Sequence, residues 1–182
     1  MPFIFEETPL DGVILVKPKI LKDSRGFFIE EYKKSDFSKA GIDVDFLQDN
    51  HSKSTKGVLR GLHFQKKPYE QAKLVRCIKG EILDVAVDIR LNSKNFGKHF
   101  SAILSEENCN MLFIPEGFLH GFLTLSEYAE IFYKCSREYN PKYDAGIRYD
   151  DPDINISWGL SNPSLSEKDK KLPFLKDIKE AL

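Results

Sequence analysis

The sequence predicts an all-β fold in which many short strands form two packed sheets. Short segments rich in β-branched and aromatic residues recur at close spacing along the 182 residues. Turn-forming sequences such as DSRG at 23–26 separate these segments. Because antiparallel proteins have to protect their sheet edges, this pattern indicates a sandwich or a closed barrel. We therefore expect a double-sheet jelly roll with short peripheral helices.

Ten segments have the composition of strands, and two have that of short helices. The predicted strands cover residues 13–16, 27–32, 45–51, 58–64, 73–78, 82–89, 100–104, 112–114, 118–125 and 130–135. A helix is predicted over residues 35–40, where Gly41 provides a stop. Further helical structure is predicted after Ser164, where Ser164 or Ser166 can cap a turn that opens with acidic residues. No repeat or change of composition marks a boundary, so residues 1–182 are predicted to form one domain.

The composition excludes several classes of partner. The net charge is −1, from 27 basic and 28 acidic side chains, and no basic stripe suggests nucleic-acid binding. No apolar run approaches the ~20 residues that a membrane-spanning helix needs, and the N-terminus lacks the pattern of a signal peptide. Cys77, Cys109 and Cys135 lie far apart without metal-type spacing. We expect buried free thiols and a cytoplasmic protein with no membrane partner.

The segment GVLRGLHFQ, at 57–65, places a histidine on a predicted strand. An imidazole with an unperturbed pKa of ~6.5 suits a general base, although His63 taken alone is explained more simply by a hydrogen bond to a neighbouring strand. Arg60 and His63 are three residues apart and should face opposite sides of an ideal strand. Both reach one cavity only if Gly61 introduces a bulge or a twist.

The segment ILDVAVD, at 82–88, is aliphatic on one face and acidic on the other. Asp84 and Asp88 share their face with Ala86. Two acids that face a cavity are unusual unless they serve it, which suggests that Asp84 supports a pocket residue. A solvated sheet face explains the pattern almost as well.

Jelly rolls of the cupin type often bind a metal, and this chain carries part of the corresponding pattern. His63 occupies the first ligand position, and the segment PEGFLH at 115–120 supplies His120. Gln65 stands where a second ligating histidine is expected, and an amide oxygen is a poor replacement for iron or zinc. Nearby lysines add charge that opposes a dication. We therefore expect a site without metal.

Polar side chains are frequent on the predicted strands and at their ends. Since buried polar groups are costly unless they bind one another or a ligand, the set indicates a binding cavity. Arginines with a lysine suit phosphate, amides and a carboxylate suit sugar hydroxyls, and tyrosines offer proton transfer and stacking. A phosphorylated sugar is the ligand that best explains this set. Gln48 and Asn50 share one strand face, and Phe28 shares a face with Glu30. The members of the polar set are Arg25, Glu30, Gln48, Asn50, Arg60, His63, Lys73, Arg76, His120, Tyr133 and Tyr139.

A series of motifs, in order and covering nearly the whole chain, resembles the dTDP-4-dehydrorhamnose 3,5-epimerase family. No single stretch is decisive, but the combination is highly specific. The matching stretches are DSRGFF at 23–28, QDNHS at 48–52, GVLRGLHFQ at 57–65, KLV at 73–75, IPEGFLHGF at 114–122, YKC at 133–135, GIRYDDP at 146–152 and LSEKD at 165–169.

This resemblance implies a role for each catalytic residue. His63 is the base that removes the sugar C–H protons, and Asp169 is its carboxylate partner. Tyr133 returns a proton from the opposite face, and Lys73 stabilises the enolate oxygen. The implied substrate is a dTDP-linked 4-keto-6-deoxy sugar of rhamnose biosynthesis for surface polysaccharide, inverted at C3 and C5 without a cofactor.

The resemblance also implies a set of binding residues and a homodimer. In the dimer, a strand from one chain can complete the other chain's pocket. Tyr139 matches the residue that stacks on the thymine ring, and Asp144 stands where the family often has a glutamate. The other implied substrate-binding residues are Arg25, Phe28, Glu30, Gln48, Asn50, Arg60, His120 and Lys168.

Other functions are compatible with the same residues. A single-centre epimerase or a 3,4-ketoisomerase can use much the same pocket, and a GDP-linked keto-sugar is an alternative substrate. The presence of both His63 and Tyr133 favours epimerisation, and Tyr139 favours thymine. A metal-dependent cupin and a non-catalytic sugar-binding cupin are more distant alternatives.

Overall fold

The chain folds into thirteen strands and three short helices within residues 2–178, the part of the chain that the computed structural model describes. The helical elements are α1 (Lys34–Lys39), a 3-10 turn (Asp169–Lys171) and α2 (Leu175–Ile178). The strands are β1 (Phe3–Glu7), β2 (Ile14–Pro18), β3 (Leu21–Asp23), β4 (Gly26–Phe28), β5 (Gln48–Thr55), β6 (Leu59–Gln65), β7 (Lys73–Lys79), β8 (Glu81–Asp88), β9 (His99–Ser105), β10 (Met111–Ile114), β11 (Phe118–Thr124), β12 (Tyr128–Cys135) and β13 (Asp144–Gly146).

Two antiparallel sheets make up the jelly roll. The first sheet has six strands in the order β1-β2-β10-β7-β12-β5, and the second has five in the order β13-β6-β11-β8-β9. Within the described part of the chain, strands β3 and β4 pair only with each other and form a separate hairpin. The predicted all-β double-sheet fold is therefore confirmed. No helix within residues 2–178 has the length and apolar character needed to span a membrane.

Three apolar clusters hold these layers together. The first lies between the sheets and includes Val75, Ala86 and Phe122. The second packs the other face of the second sheet against the C-terminal segment, which contributes Trp158 and Leu175. The third packs β1, β2 and α1 onto the outer face of the first sheet. All three cysteines are buried free thiols, as predicted.

Most of the predicted strands occur with shifted ends, and one is much shorter than predicted. The segment predicted as a strand over 27–32 ends at Phe28 in β4, because residues 29–33 have no partner strand within the described chain. Strands β1, β3 and β13 were not predicted. Helix α1 starts one residue before the predicted helix, and Ser166 Oγ accepts a hydrogen bond from Asp169 N at the start of the 3-10 turn, as predicted.

Strand β6 contains the irregularity that was predicted at Gly61. His63 pairs with His120 and Arg60 pairs with Phe122, so three steps along β6 match only two steps along β11. The extra residue brings Arg60 and His63 onto the same face of the sheet. Gly61 has φ +124°, a backbone conformation that side chains disfavour, and it lies close against β11.

Substituting Gly61 with alanine should destabilise the fold strongly. A Cβ atom there would lie 2.6 Å from Gly121 Cα and 2.9 Å from His120 O. Backbone strain together with this overlap should lower the free energy of unfolding by about 4 kcal/mol, measured by urea denaturation. Gly159→Ala is the control, because Gly159 also has positive φ but no described atom within 4 Å of a Cβ. Its cost should be only about 1–2 kcal/mol; equal losses in the two variants would contradict the close approach of β6 and β11.

Candidate active site

Two adjoining cavities lie between the sheets and share four side chains. The first has a volume of about 420 Å³ and the second about 320 Å³. The second sheet contributes residues of β6 and β11, the first sheet those of β5, β7 and β12, and the segment 164–169 covers one side. The shared side chains are His63, Lys73, Tyr133 and Lys168.

His63 is held by a buried carboxylate. Its Nε2 lies 2.7 Å from Asp169 Oδ1, and only 4% of Asp169 is exposed. Burial acts to raise the pKa of Asp169, but the hydrogen bond and charge of His63, with Gly61 N and Ser166, outweigh it and hold that pKa below its ordinary value. Asp169 is therefore ionised, and it orients the imidazole from the segment 164–169 that covers one side of the cavity.

Lys73 and Tyr133 line the cavities from the opposite sheet. They lie on the paired strands β7 and β12, where Lys73 is the register partner of Cys135 and Tyr133 that of Val75. Burial lowers the pKa of the Lys73 ammonium, and nearby acidic groups oppose this shift. Burial also raises the pKa of Tyr133, which keeps the phenol protonated at neutral pH. The arrangement thus places a cation and a proton donor across the cavity from His63.

His120 forms a second histidine–carboxylate pair beside the first. Its Nε2 lies 2.7 Å from Asp84 Oδ1, and it is the register partner of His63 on the neighbouring strand. His120 is 7% exposed, and Asp84 is completely buried. The prediction that Asp84 supports a pocket residue is confirmed by this contact.

Arg60 reaches the first cavity from β6, as expected if Gly61 introduces a bulge. Its Nε donates a hydrogen bond to Ser54 Oγ at 3.0 Å, and its guanidinium also contacts Lys53 O. These two contacts hold the Arg60 guanidinium in place where it lines the first cavity.

Amides and an aromatic side chain line the second cavity. Gln48 Nε2 donates to Asn50 Oδ1 at 3.0 Å, and Gln48 Oε1 accepts from Tyr139 N at 2.7 Å. Tyr139 Oη donates to Asp144 Oδ2 at 2.8 Å, and Lys168 pairs with the same carboxylate oxygen. The hydrogen bond to Asp144 raises the pKa of Tyr139. Gln48 and Asn50 share a face, as the strand pattern predicted.

Arg25, Phe28 and Glu30 do not line either cavity of their own chain. Arg25 lies in the β3–β4 hairpin, where its guanidinium pairs with Asp23 at 2.6 Å. Phe28 is 62% exposed, an unusual state for a large aromatic side chain. Glu30 follows the hairpin, and its Oε2 is buried without a hydrogen-bond partner within residues 2–178. The structure thus separates these three residues from the others in the predicted site.

Several cavity residues were not predicted from the sequence. Ser52, Phe122 and Ser164 line the first cavity, and Gln71 lines the second. Strand parity with Asn50 is a signal that points to Ser52, whereas Ser164 reaches the cavity through a parallel bridge to Val58 that no local pattern indicates. Arg76, grouped with the pocket residues, instead pairs with Glu31 and faces Cys109.

The candidate metal ligands have other partners. Gln65 donates to Tyr69 O and accepts from Asn140 N, while the Nε2 atoms of His63 and His120 contact carboxylates. Among the described residues, no group of three or more His, Cys, Asp or Glu side chains could hold a metal ion. The donor set does not fit the metal pattern of the cupins.

Comparison with known proteins agrees with this site. The family model described as dTDP-4-dehydrorhamnose 3,5-epimerase matches residues 7–177. The chain belongs to this family of isomerases. It is 52% identical over 164 residues to the dTDP-4-dehydrorhamnose 3,5-epimerase of Shigella flexneri, covering 90% of this chain and 91% of the relative.

Solved structures show the same fold. A dTDP-6-deoxy-D-glucose-3,5-epimerase from Legionella pneumophila, in complex with dTDP-4-keto-L-rhamnose, has a TM-score of 0.92 at 44% identity, covering 96% of this chain and 93% of that one. A 3'-monoepimerase from Streptomyces bikiniensis, in complex with dTDP-quinovose, has a TM-score of 0.90 at 31% identity, covering 96% and 89%.

Replacing Asp169 with asparagine should change how stability depends on pH. Because the pKa of Asp169 is lower in the folded protein, its ionised form stabilises the fold above the unfolded pKa of about 3.9, and this stability is lost as the pH falls through the folded pKa. Urea unfolding of wild type and Asp169→Asn should show a stability difference that is constant near neutrality and shrinks below about pH 4. The exposed Asp153, changed to asparagine, is the control; a difference independent of pH would contradict the depressed pKa.

Proposed function

We propose that this protein inverts C3 and C5 of dTDP-4-dehydro-6-deoxy-D-glucose to give dTDP-4-dehydro-L-rhamnose, in nucleotide-sugar biosynthesis for surface polysaccharide. The observation that carries the proposal is the contact of His63 with the buried Asp169 carboxylate, which faces Lys73 and Tyr133 across one cavity. The family membership and the solved relative bound to dTDP-4-keto-L-rhamnose support the substrate class.

His63 acts as the base. A carboxylate only accepts hydrogen bonds, so the hydrogen of the neutral imidazole lies on Nε2, towards Asp169. The lone pair on Nδ1 is then the proton acceptor. When it takes a proton from the carbon next to the C4 carbonyl, the negative Asp169 stabilises the imidazolium that forms.

Lys73 stabilises the enolate. Removing the proton moves negative charge onto the C4 oxygen, which requires a cation or hydrogen-bond donors at that point. No hydrogen bond or ion pair within residues 2–178 engages the Lys73 ammonium, so its donors are available to the substrate oxygen. By comparison with the loss of a single oxyanion donor in other enzymes, this interaction should raise kcat by about 10²–10³-fold.

Tyr133 completes the inversion. A stereocentre inverts only when the proton is returned to the face opposite the one from which it was removed. Tyr133 lies on the first sheet and His63 on the second, so the two groups suit opposite faces of a bound sugar. One cycle at C3 and one at C5 yield the product, and no metal or cofactor is required by these steps.

The second cavity suits the nucleotide. Tyr139 is partly exposed there and offers an aromatic face to the thymine ring. Lys168, which lines both cavities, supplies positive charge for the diphosphate, and the amides of Gln48 and Asn50 supply hydrogen bonds to polar groups of the nucleotide. Arg60 and His120 line the first cavity, where Arg60 adds positive charge for the diphosphate and His120 offers a hydrogen bond to the sugar. Asp144 holds Tyr139 and Lys168 together at this end of the site.

A 3'-monoepimerase is the second candidate function. It is favoured by the similarity to the Streptomyces bikiniensis enzyme, which has the same fold. The higher identity to relatives named 3,5-epimerase favours inversion at both carbons. The contacts of Gln65, His63 and His120 disfavour the metal-dependent alternative.

The active form is proposed to be a homodimer in which the β3–β4 hairpin of one chain completes the other chain's site. Arg25 and Phe28 are exposed on this hairpin, and neither lines the two cavities that His63 shares in its own chain. Strand β5 ends its sheet and has one free edge within the described chain, next to the residues of the second cavity. The hairpin of a partner subunit can therefore bring Arg25, Phe28 and Glu30 to the substrate.

Two further assignments accompany this function. We place the protein in the cytoplasm, which the three free thiols support. We also propose that the chain acts as one domain, since both sheets share the central apolar cluster.

His63→Ala should abolish exchange of the sugar C–H protons with solvent. In D₂O, NMR of the dTDP-linked 4-keto sugar should show exchange at C3 and C5 slowed by about 10²–10⁴-fold, because the base is lost. Affinity for dTDP should stay within about twofold, since the contacts proposed for the nucleotide are those of Tyr139, Lys168 and the amides rather than of His63. His99→Ala on β9, away from both cavities, should keep wild-type exchange. Undiminished exchange in His63→Ala would refute the assigned base.

A mixed dimer should reveal which chain supplies the hairpin. Arg25→Ala and His63→Ala are each expected to be nearly inactive as homodimers. Co-expression with two different tags isolates the heterodimer, in which one of the two sites combines an intact His63 with an intact hairpin from the partner. That heterodimer should recover about half the wild-type activity per dimer. No recovery would mean that the hairpin serves its own chain.

A further inference from the structure

Asp84 is buried at a cost that its position in the fold does not explain. It lies in the middle of β8 and is 0% exposed. Within residues 2–178 its side chain has one hydrogen-bond partner, His120 Nε2 at 2.7 Å. Its second oxygen, Oδ2, is buried and has no hydrogen-bond partner among the described residues. A buried carboxylate with one free oxygen is expensive, so an interaction that needs its charge should compensate.

Asp88 on the same strand provides the contrast. It is also 0% exposed and shares a face with Asp84. Its oxygens accept hydrogen bonds from Arg90 and Ser93, so both have partners that close the turn after β8. Asp88 therefore has a sufficient structural reason to be buried, whereas Asp84 does not.

The unsatisfied charge of Asp84 acts on the cavity. Burial lowers the pKa of the Lys73 ammonium. Asp84 opposes this shift through its electrostatic interaction with Lys73, as do Cys135 and Asp144. None of the ion pairs within residues 2–178 joins Asp84 to Lys73 directly. Asp84 thus favours the charged form of Lys73 and leaves its N–H groups free for the substrate.

The same carboxylate fixes His120. Because the carboxylate accepts only, the hydrogen of neutral His120 lies on Nε2 and its Nδ1 is an acceptor. The ring is held beside His63, its register partner on β6. A sugar hydroxyl that enters the cavity therefore meets an acceptor of fixed direction.

We propose that Asp84 is a positioning residue of the epimerase site, which fixes the His120 imidazole where the 4-keto sugar binds. This inference rests on the proposed function and adds a residue that the binding set above does not contain. It predicts that Asp84 affects turnover of the sugar and leaves nucleotide binding unchanged.

The test compares Asp84→Asn with Asp88→Asn, the matched buried carboxylate of the same strand. Asp84→Asn should lower kcat for the dTDP-linked 4-keto sugar by about 10–100-fold, as loss of a carboxylate behind a functional histidine does elsewhere. Affinity for dTDP should stay within about twofold. Asp88→Asn should lower the melting temperature and leave kcat near wild type at temperatures well below melting. Equal kcat in wild type and Asp84→Asn would overturn the proposal, as would parallel losses in the two variants.

A double-mutant cycle tests whether Asp84 acts through its neighbour. Combining Asp84→Asn with His120→Asn should cost less than the product of the two single losses, by about fivefold or more. Losses that simply multiply would overturn the role assigned to the contact.

Nitrogen-15 NMR of wild-type protein gives an independent readout that needs no variant: neutral His120 should carry its hydrogen on Nε2, and the opposite tautomer would contradict the proposal. Absence of solvent exchange in wild type would instead refute the proposed function itself.

Discussion

The contact between His63 and Asp169 is the constraint on which the site depends. It joins residues 106 positions apart and ties the C-terminal segment to the second sheet. The segment closes one side of the cavity, so a single hydrogen bond both orients the imidazole and helps to exclude water. The Asp169 carboxylate is held as an anion by this contact, although burial alone would favour its neutral form. Catalytic orientation and closure of the cavity therefore share one interaction.

The two-sheet architecture supplies the second requirement of an inversion reaction. Groups on facing sheets approach a bound molecule from opposite sides, and a stereocentre inverts only if proton removal and return use opposite faces. The second sheet carries both histidines of the two histidine–carboxylate pairs, and the first carries the ammonium of Lys73 and the phenol of Tyr133. Burial keeps the Tyr133 phenol protonated, whereas it lowers the pKa of the Lys73 ammonium, a shift that nearby acidic groups oppose.

The features that depend on short-range patterns could be predicted from the sequence. Strand parity correctly grouped Gln48 with Asn50, and it suggested that Asp84 supports a pocket residue, although a solvated sheet face explained the pattern almost as well. The three-residue spacing of Arg60 and His63 indicated a bulge at Gly61 if both were to reach one cavity, and this bulge is present. Long-range features were beyond such patterns. The bridge from Val58 to Ser164 and the early end of β4 depend on which distant segment is available for pairing. The partnership of His63 with Asp169 came from family resemblance, because no local rule relates residues so far apart.

The placement of base and acid on opposite sides is tested most directly by Tyr133→Phe in D₂O. NMR of the dTDP-linked 4-keto sugar reads deuterium content and configuration in the same sample. In this variant His63 should still exchange the sugar protons while inversion is slowed by about 10²–10⁴-fold, so that deuterium enters the sugar with its configuration retained. Inversion at the wild-type rate would contradict this placement of base and acid, because the proton would then reach the opposite face without the phenol.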